Sequence, residues 1–189
     1  MPLSGSPCAI SNMWGKWPCE PPAWPVAPRP FAIEPIGGWV GRVAARYRMS
    51  VDELAQEYGL QVDFDRPSNA WLLILRVSEA TIGQLAALAR VKAADLSALQ
   101  LPQAESATQT QLAYCQGCIF LNPQDVTSPC WKREWMDPSV AWCTIHDRPL
   151  QRLPIASLRI CGNFDHVLRL VSRREAHRRK RDRQSVHPH

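Results

Sequence analysis

Two pairs of metal-ligand side chains constrain this chain more than any other feature: Cys115-x2-Cys118 and Cys143-x2-His146, with 24 residues between them. Two intervening residues let one tight turn aim two donors at a common point, and two such turns supply the corners of a tetrahedron. The segment between the pairs must then fold back on itself. Zinc is the divalent ion that thiolate and imidazole donors suit. With all four positions filled by protein, no corner is left for water or substrate. The spacing therefore predicts one structural Zn2+ held by Cys115, Cys118, Cys143 and His146, with no catalytic residue beside it. The surrounding stretch carries Trp131, Trp135 and Trp142 but little aliphatic core, so the ion is expected to supply much of its folding energy.

Other uses of these residues fit less well. A redox Cys115-Gln116-Gly117-Cys118 needs a thioredoxin-like βαβ context, and the preceding 80 or so residues read as helical. Zinc deaminase chemistry wants His-x-Glu ahead of Cys-x2-Cys, and no histidine precedes His146. Neither a Gly-rich phosphate loop nor a Ser/His/Asp set is evident. A second metal site from Cys130, Cys161 and His166 would need one further ligand. The simpler reading makes Cys130 a loop thiol and Cys161-Gly162 a turn. Seven cysteines are an odd number, which argues against a disulfide framework. The opening Met1-Pro2-Leu3-Ser4-Gly5 has neither a basic nor an apolar signal region, and no apolar run approaches the ~20 residues of a membrane span. The expectation is a reducing, cytoplasmic setting and no membrane.

Ahead of the cysteines the fold class reads as mainly α. Residues 1–30 are rich in proline and tryptophan, including Pro25, Pro28, Pro30, Trp14, Trp17 and Trp24, and read as a disordered lead. Ile36, Trp39, Val40, Val43, Ala44 and Tyr47 then recur as one helical stripe, with Arg42, Arg46 and Arg48 off it. Gly37, Gly38 and Gly41 weaken that helix by propensity, so close packing is expected to require them. Ser50-x-x-Glu53 is a capping box opening a second helix that stops at Gly59. The run Trp71 to Leu75 is too short to classify. Thr81-x-x-Gln84 reads as another cap before Ile82, Leu85, Ala86 and Ala89, and a last short helix carries Leu96 and Leu99 before Pro102. The expected layout is a helical domain of helix-turn-helix-like hairpins over 31–102, a linker over 103–112, a zinc-finger module over 113–166 and a basic tail over 167–189. In that tail, helix is expected near Val167 to Ala176, with fraying beyond.

The net charge of +5 is unevenly placed, because Arg169 to Arg183 alone holds eight Lys/Arg against two acids. Arg173, Arg174, Arg178, Arg179, Lys180, Arg181 and Arg183 are therefore the candidate nucleic-acid contacts. Base reading by a helix-turn-helix would need a basic second helix. The first hairpin instead presents Asp52, Glu53, Gln56 and Glu57; the second presents Lys92, Asp95, Ser97 and Gln100.

Two stretches together resemble the TniQ family, which includes TnsD-like target selectors of transposons. In the first, a Pro-rich lead from Trp24 precedes an acid, Glu34, and then a helix bearing Trp39 and Arg42; Met49-Ser50-Val51-Asp52-Glu53-Leu54 to Gly59-Leu60 is similar to the family's second helix. The second runs Tyr114-Cys115-Gln116-Gly117-Cys118, then Trp135, then Cys143-Thr144-Ile145-His146-Asp147-Arg148-Pro149-Leu150. Departures are Gly37-Gly38 in place of small hydroxyl residues, Gln116 in place of a frequent proline, and a second knuckle shortened to Cys161-Gly162. The resemblance implies a non-enzymatic adapter. Such proteins link a DNA site or an RNA-guided Cascade-type complex to the AAA+ transposition ATPase and the transposase, and a homodimer is plausible by analogy. The competing expectation is a small zinc-containing helix-turn-helix regulator that binds DNA by itself.

Overall fold

The structure is a computed structural model, and it describes residues 22–61, 70–101 and 109–186. Helix α1 spans Ile36–Arg46 and buries Ile36, Trp39, Val40, Val43 and Ala44, the apolar stripe expected of it. Its glycines are packing positions. A Cβ on Gly41 would lie 2.1 Å from the Trp71 ring, and one on Gly37 would lie 2.4 Å from the Trp71 carbonyl. The short run that periodicity could not classify, Trp71–Leu73, is a 3-10 turn wedged against these two glycines. Arg42, off the apolar stripe, is nevertheless buried. A planar guanidinium can enter an interior when a carboxylate meets it, and Glu34 does so.

Helix α2 is Val51–Tyr58. Ser50 and Glu53 cap it reciprocally, and Gly59 closes it with φ of 60°. Helix α3 is Glu79–Ala89, starting three residues earlier than expected because Ser78, not Thr81, is its N-cap. Ser78 Oγ accepts from the Thr81 amide at 3.1 Å. Thr81 and Gln84 instead bond to the end of α2, donating to the carbonyls of Gln61 and Tyr58. Helix α4 is Ala93–Ser97, with Leu96 and Leu99 buried. Pro102 and most of the expected linker lie outside the described residues, while Gln111 and Leu112 belong to a strand.

That strand, β1 (Gln111–Tyr114), leads into the five-residue helix α5 (Gln116–Phe120). A 3-10 turn follows at Arg133–Met136. Strands β2 (Trp142–Cys143) and β3 (Arg148–Pro149) form a small hairpin, and β4 (Gln151–Pro154) returns antiparallel to β1 with Leu112 opposite Leu153. Helix α6 is Ile155–Arg159, and α7 runs unbroken from Phe164 to Val186. The tail therefore does not fray after Ala176. Arginine and lysine are good helix formers, and Glu175 binds Arg178 and Arg179 one turn on.

One apolar core runs from Trp24 to Val171 and includes residues of both halves. Trp24 is 2% exposed, so the lead from residue 22 is laid on the helices. Trp24 packs against Trp39, Tyr47 and Tyr58, and its amide donates to the Leu88 carbonyl. Proline only removes donors; it does not prevent docking when an aromatic anchor sits among the prolines. The start of α7 locks onto the α1–α2 turn. The Val51 amide donates to the Gly162 carbonyl, and the Asn163 amide group donates to the Met49 carbonyl. Trp71 Nε1 donates to the Cys161 carbonyl. No helix among the described residues is long and apolar enough to cross a membrane.

Candidate metal centre and basic helix

The backbone brings the two ligand pairs together from opposite sides. Cys115 follows β1 as the N-cap of α5, and Cys118 lies within α5. Cys143 ends β2, and the hairpin back through β3 turns at Asp147, whose φ is 43°. Aspartate tolerates this left-handed conformation better than most residues, and its Oδ1 also accepts from Trp142 Nε1 at 3.1 Å. The three cysteines are buried and His146 is half-buried, with all four donor atoms within 4.8 Å of one another.

Four of the six separations fit the edges of a tetrahedron, and the others lie within 4.8 Å. Metal–sulfur bonds of about 2.3 Å and metal–nitrogen bonds of about 2.0–2.1 Å give sulfur–sulfur edges of about 3.8 Å and sulfur–nitrogen edges of about 3.5 Å. Cys118 and Cys143 Sγ are 3.6 Å apart. His146 Nδ1 lies 3.6, 3.3 and 3.7 Å from the Sγ of Cys115, Cys118 and Cys143. Nδ1 is therefore the imidazole donor. The opposite side of the ring lies against Gly117, where a Cβ would sit 2.6 Å from Nε2. Gly117 is thus a site residue that ligand spacing alone did not single out. Its signal was a glycine directly before the second cysteine.

Electrostatics in the cluster are those of a ligand set. Burial raises the Cys118 thiol, and its hydrogen bond with Cys143 raises it further, to about 12. At Cys143 burial also opposes ionisation, but hydrogen bonds from the His146 side chain and backbone and from Cys115 and Cys118 outweigh it, bringing the thiol to about 6. Three thiols so close cannot all ionise unless a cation neutralises them. A reactive cysteine is ordinarily partly exposed, whereas Cys143 is 3% exposed.

Cys130, Cys161 and His166 are not gathered into such a group; among the described residues the Cys3His cluster is the one that could hold a metal ion. Burial pushes the Cys130 thiol up to about 12, with the Glu34 charge adding to it. Burial raises Cys161 as well, and its Sγ donates to the Ser157 carbonyl at 3.5 Å. His166 Nδ1 accepts from the Gly162 amide.

Glu34 and Arg42 form a second buried polar centre. Arg42 Nε and Nη2 meet the two carboxylate oxygens at 2.9 and 2.6 Å. The same guanidinium donates to the Arg29 carbonyl and to Ser128 Oγ, and it covers the Phe31 ring at 4.5 Å. Burial pushes the Glu34 carboxyl up, opposed by the charge and hydrogen bonds of Arg42 and by the Phe31 amide. This clasp ties together the lead, α1 and the loop between the two ligand pairs. Arg133 adds a second tie: its amide donates to the Ile33 carbonyl and its guanidinium to the carbonyls of Ala98 and Gln100, just past α4.

The seven candidate nucleic-acid contacts all lie on α7 and are exposed. They are not equivalent. Arg178 and Arg179 bond to Glu175, which is itself 4% exposed and also accepts from Gln151. Arg173, Arg174, Lys180, Arg181 and Arg183 are not among those pairs. Neither hairpin offers a basic reading helix. Asp52, Glu53, Gln56 and Glu57 are the exposed face of α2, and α4 has only five residues.

The fold and the cluster define a class: a small, mainly helical protein with a Cys3His cluster that could hold a metal ion. The TniQ family model matches residues 25–150, most of the chain, and the chain belongs to the TniQ family. No curated protein matches it. The matched span takes in Glu34, Arg42 and all four donors, while α7 lies beyond it.

Proposed function

We propose that this protein is a non-enzymatic adapter in DNA transposition, working in the cytoplasm and holding one structural Zn2+. Its partners in this reading are the transposition ATPase and the transposase, with target recognition supplied by a DNA site or by an RNA-guided Cascade-type complex. Membership of the TniQ family supports the association with transposition. The observation that carries the scaffold reading is the cation site itself, where four protein donors stand at tetrahedral separations and leave no open corner. Soft thiolates with one imidazole favour zinc over harder cations. When bound, the ion supplies no reaction; it would fasten the β1–α5 turn to the β2–β3 hairpin. DNA contact is assigned to the cations of α7, and pairing of two copies rests on analogy with the family alone.

The adapter is preferred to a self-sufficient helix-turn-helix regulator because the α2 face is acidic and α4 is too short to lie along a major groove. Co-purification tests the choice. The tagged chain is expressed with a transposition ATPase and a transposase, with and without DNA. The adapter reading expects capture of at least one of these proteins. Binding to duplex DNA with no capture of either would assign the chain to the regulator class.

A further inference from the structure

Helices α5 and α7 flank a groove of about 560 Å³. Its cationic wall is Arg179, Lys180 and Arg183 of α7, and Gln116 and Phe120 of α5 line it as well. Gln116 sits between Cys115 and Cys118, so the turn that forms the cation site also sets this wall of the groove. The carboxylate lining the groove belongs to Glu175, and it is engaged by Arg178, Arg179 and Gln151. One of those bonds holds Arg179 by its Nε at 3.0 Å. The groove therefore combines an aromatic side chain, two exposed cations at one-turn spacing, a third cation fixed by a carboxylate, and an amide.

We propose that this groove binds single-stranded nucleic acid, with Lys180 and Arg183 on successive phosphates and a base stacked on Phe120. The proposal rests on the reading of α7 as the nucleic-acid face and adds to it the site and the strand type. Sites for single strands pair a cationic track with an aromatic platform, because every base has a face to stack while its phosphates run alongside. A duplex hides its base faces, so it would meet the same cations but leave Phe120 without a role. An acidic protein segment would use the cations and also gain nothing from an aromatic floor. The volume falls within the roughly 300–1,000 Å³ typical of ligand-sized clefts.

The test measures fluorescence anisotropy of a short labelled oligothymidylate and of a duplex of equal length, with the metal-loaded full chain at two salt concentrations. Lys180→Ala with Arg183→Ala is expected to weaken single-strand binding at least tenfold and to lower the log–log salt slope by about 1.4. Phe120→Ala is expected to weaken it roughly five- to tenfold with the slope unchanged, and to leave duplex binding within about twofold. Phe120 is partly buried against the core, and Phe120→Leu keeps an apolar side chain there; it should lose similar affinity while the native circular dichroism spectrum is retained, which separates stacking from folding. If both Phe120 variants bind the single strand like the parent, the groove is not the site. The same holds if Arg169→Ala with Arg173→Ala, on the earlier turns of α7, costs as much as the groove pair; α7 would then remain a general phosphate contact. Equal competition by polyglutamate would reassign the groove to acidic protein. Failure to bind either probe at low salt would remove the α7 reading along with it.

Discussion

Between Ile36 and Leu99 the interior is built from Ile36, Trp39, Val43, Leu54, Leu72, Ile82, Leu85, Leu96 and Leu99, each at most 1% exposed. Between Leu112 and Leu153 it is built from Tyr114, Ile119, Trp131 and Trp135, with four buried cysteines among them. The first region closes by interlocking aliphatic side chains and helix caps. The second has two very short strands in its β2–β3 hairpin, a helix of five residues and four converging donors. Apolar burial is non-directional and accumulates over many residues, whereas a tetrahedral site concentrates the constraint on four. In the zinc-bound reading proposed above, one chain uses both means of ordering itself; the Glu34–Arg42 clasp and Arg133 fasten the two regions to each other.

This contrast is tested most strongly by removing one donor. Cys143→Ser should abolish stoichiometric zinc and expose backbone amides of 111–154 to hydrogen exchange, while α1 and α3 keep their protection. Structural zinc is worth roughly 10–16 kcal/mol in finger peptides, so this is the largest effect expected. Equal loss of protection in both regions would show that they fold as one unit.

Breaking the clasp comes next. Arg42→Met leaves the Glu34 carboxyl buried without its partner and should cost about 3–5 kcal/mol in urea unfolding. Adding Glu34→Gln should restore part of that loss. A single-variant cost under about 1 kcal/mol would mean the clasp does not join the regions. Within the helical region alone, Gly41→Ala drives a methyl into the Trp71 ring and should cost about 1–3 kcal/mol, with zinc content unchanged.

The smallest effect concerns Glu175, whose carboxyl is held down to about 2 by hydrogen bonds from Arg178, Arg179 and Gln151 that outweigh its burial. A folded value below the ordinary carboxyl range means the unfolded chain binds the proton more readily. The contribution is present above about pH 4.3 and disappears as pH falls through about 2. Its two arginines are 46% and 65% exposed, so solvent screening limits it to about 1 kcal/mol. Glu175→Gln should flatten the helicity loss of α7 over that window, measured by circular dichroism difference. An unchanged acid profile would assign the steepness to other carboxyls.

What could be read directly from the sequence was local. Ser50 and Glu53 cap α2, and Gly59 stops it, because a cap is decided by residues three or four apart. The four donors were legible for the same reason: their pairs are self-contained turns. Arg42 was not legible as a buried residue, since its place off the apolar stripe says nothing of Glu34 waiting eight residues away. Trp24 was hidden among prolines, and its partners Tyr47, Tyr58 and Leu88 lie far along the chain. The β1–β4 ladder joins residues about forty apart through strands of four residues, too short for alternation to show. Glu175 was counted only as a charge against the tail, while in the fold it is the residue that organises two of the arginines.

X-ray absorption at the zinc edge of the purified, unsupplemented protein tests the central claim most directly. The account predicts one zinc per chain with three sulfur neighbours at about 2.3 Å and one nitrogen at about 2.0–2.1 Å. A preparation that is folded yet lacks zinc, or a zinc shell without three sulfurs, would contradict it.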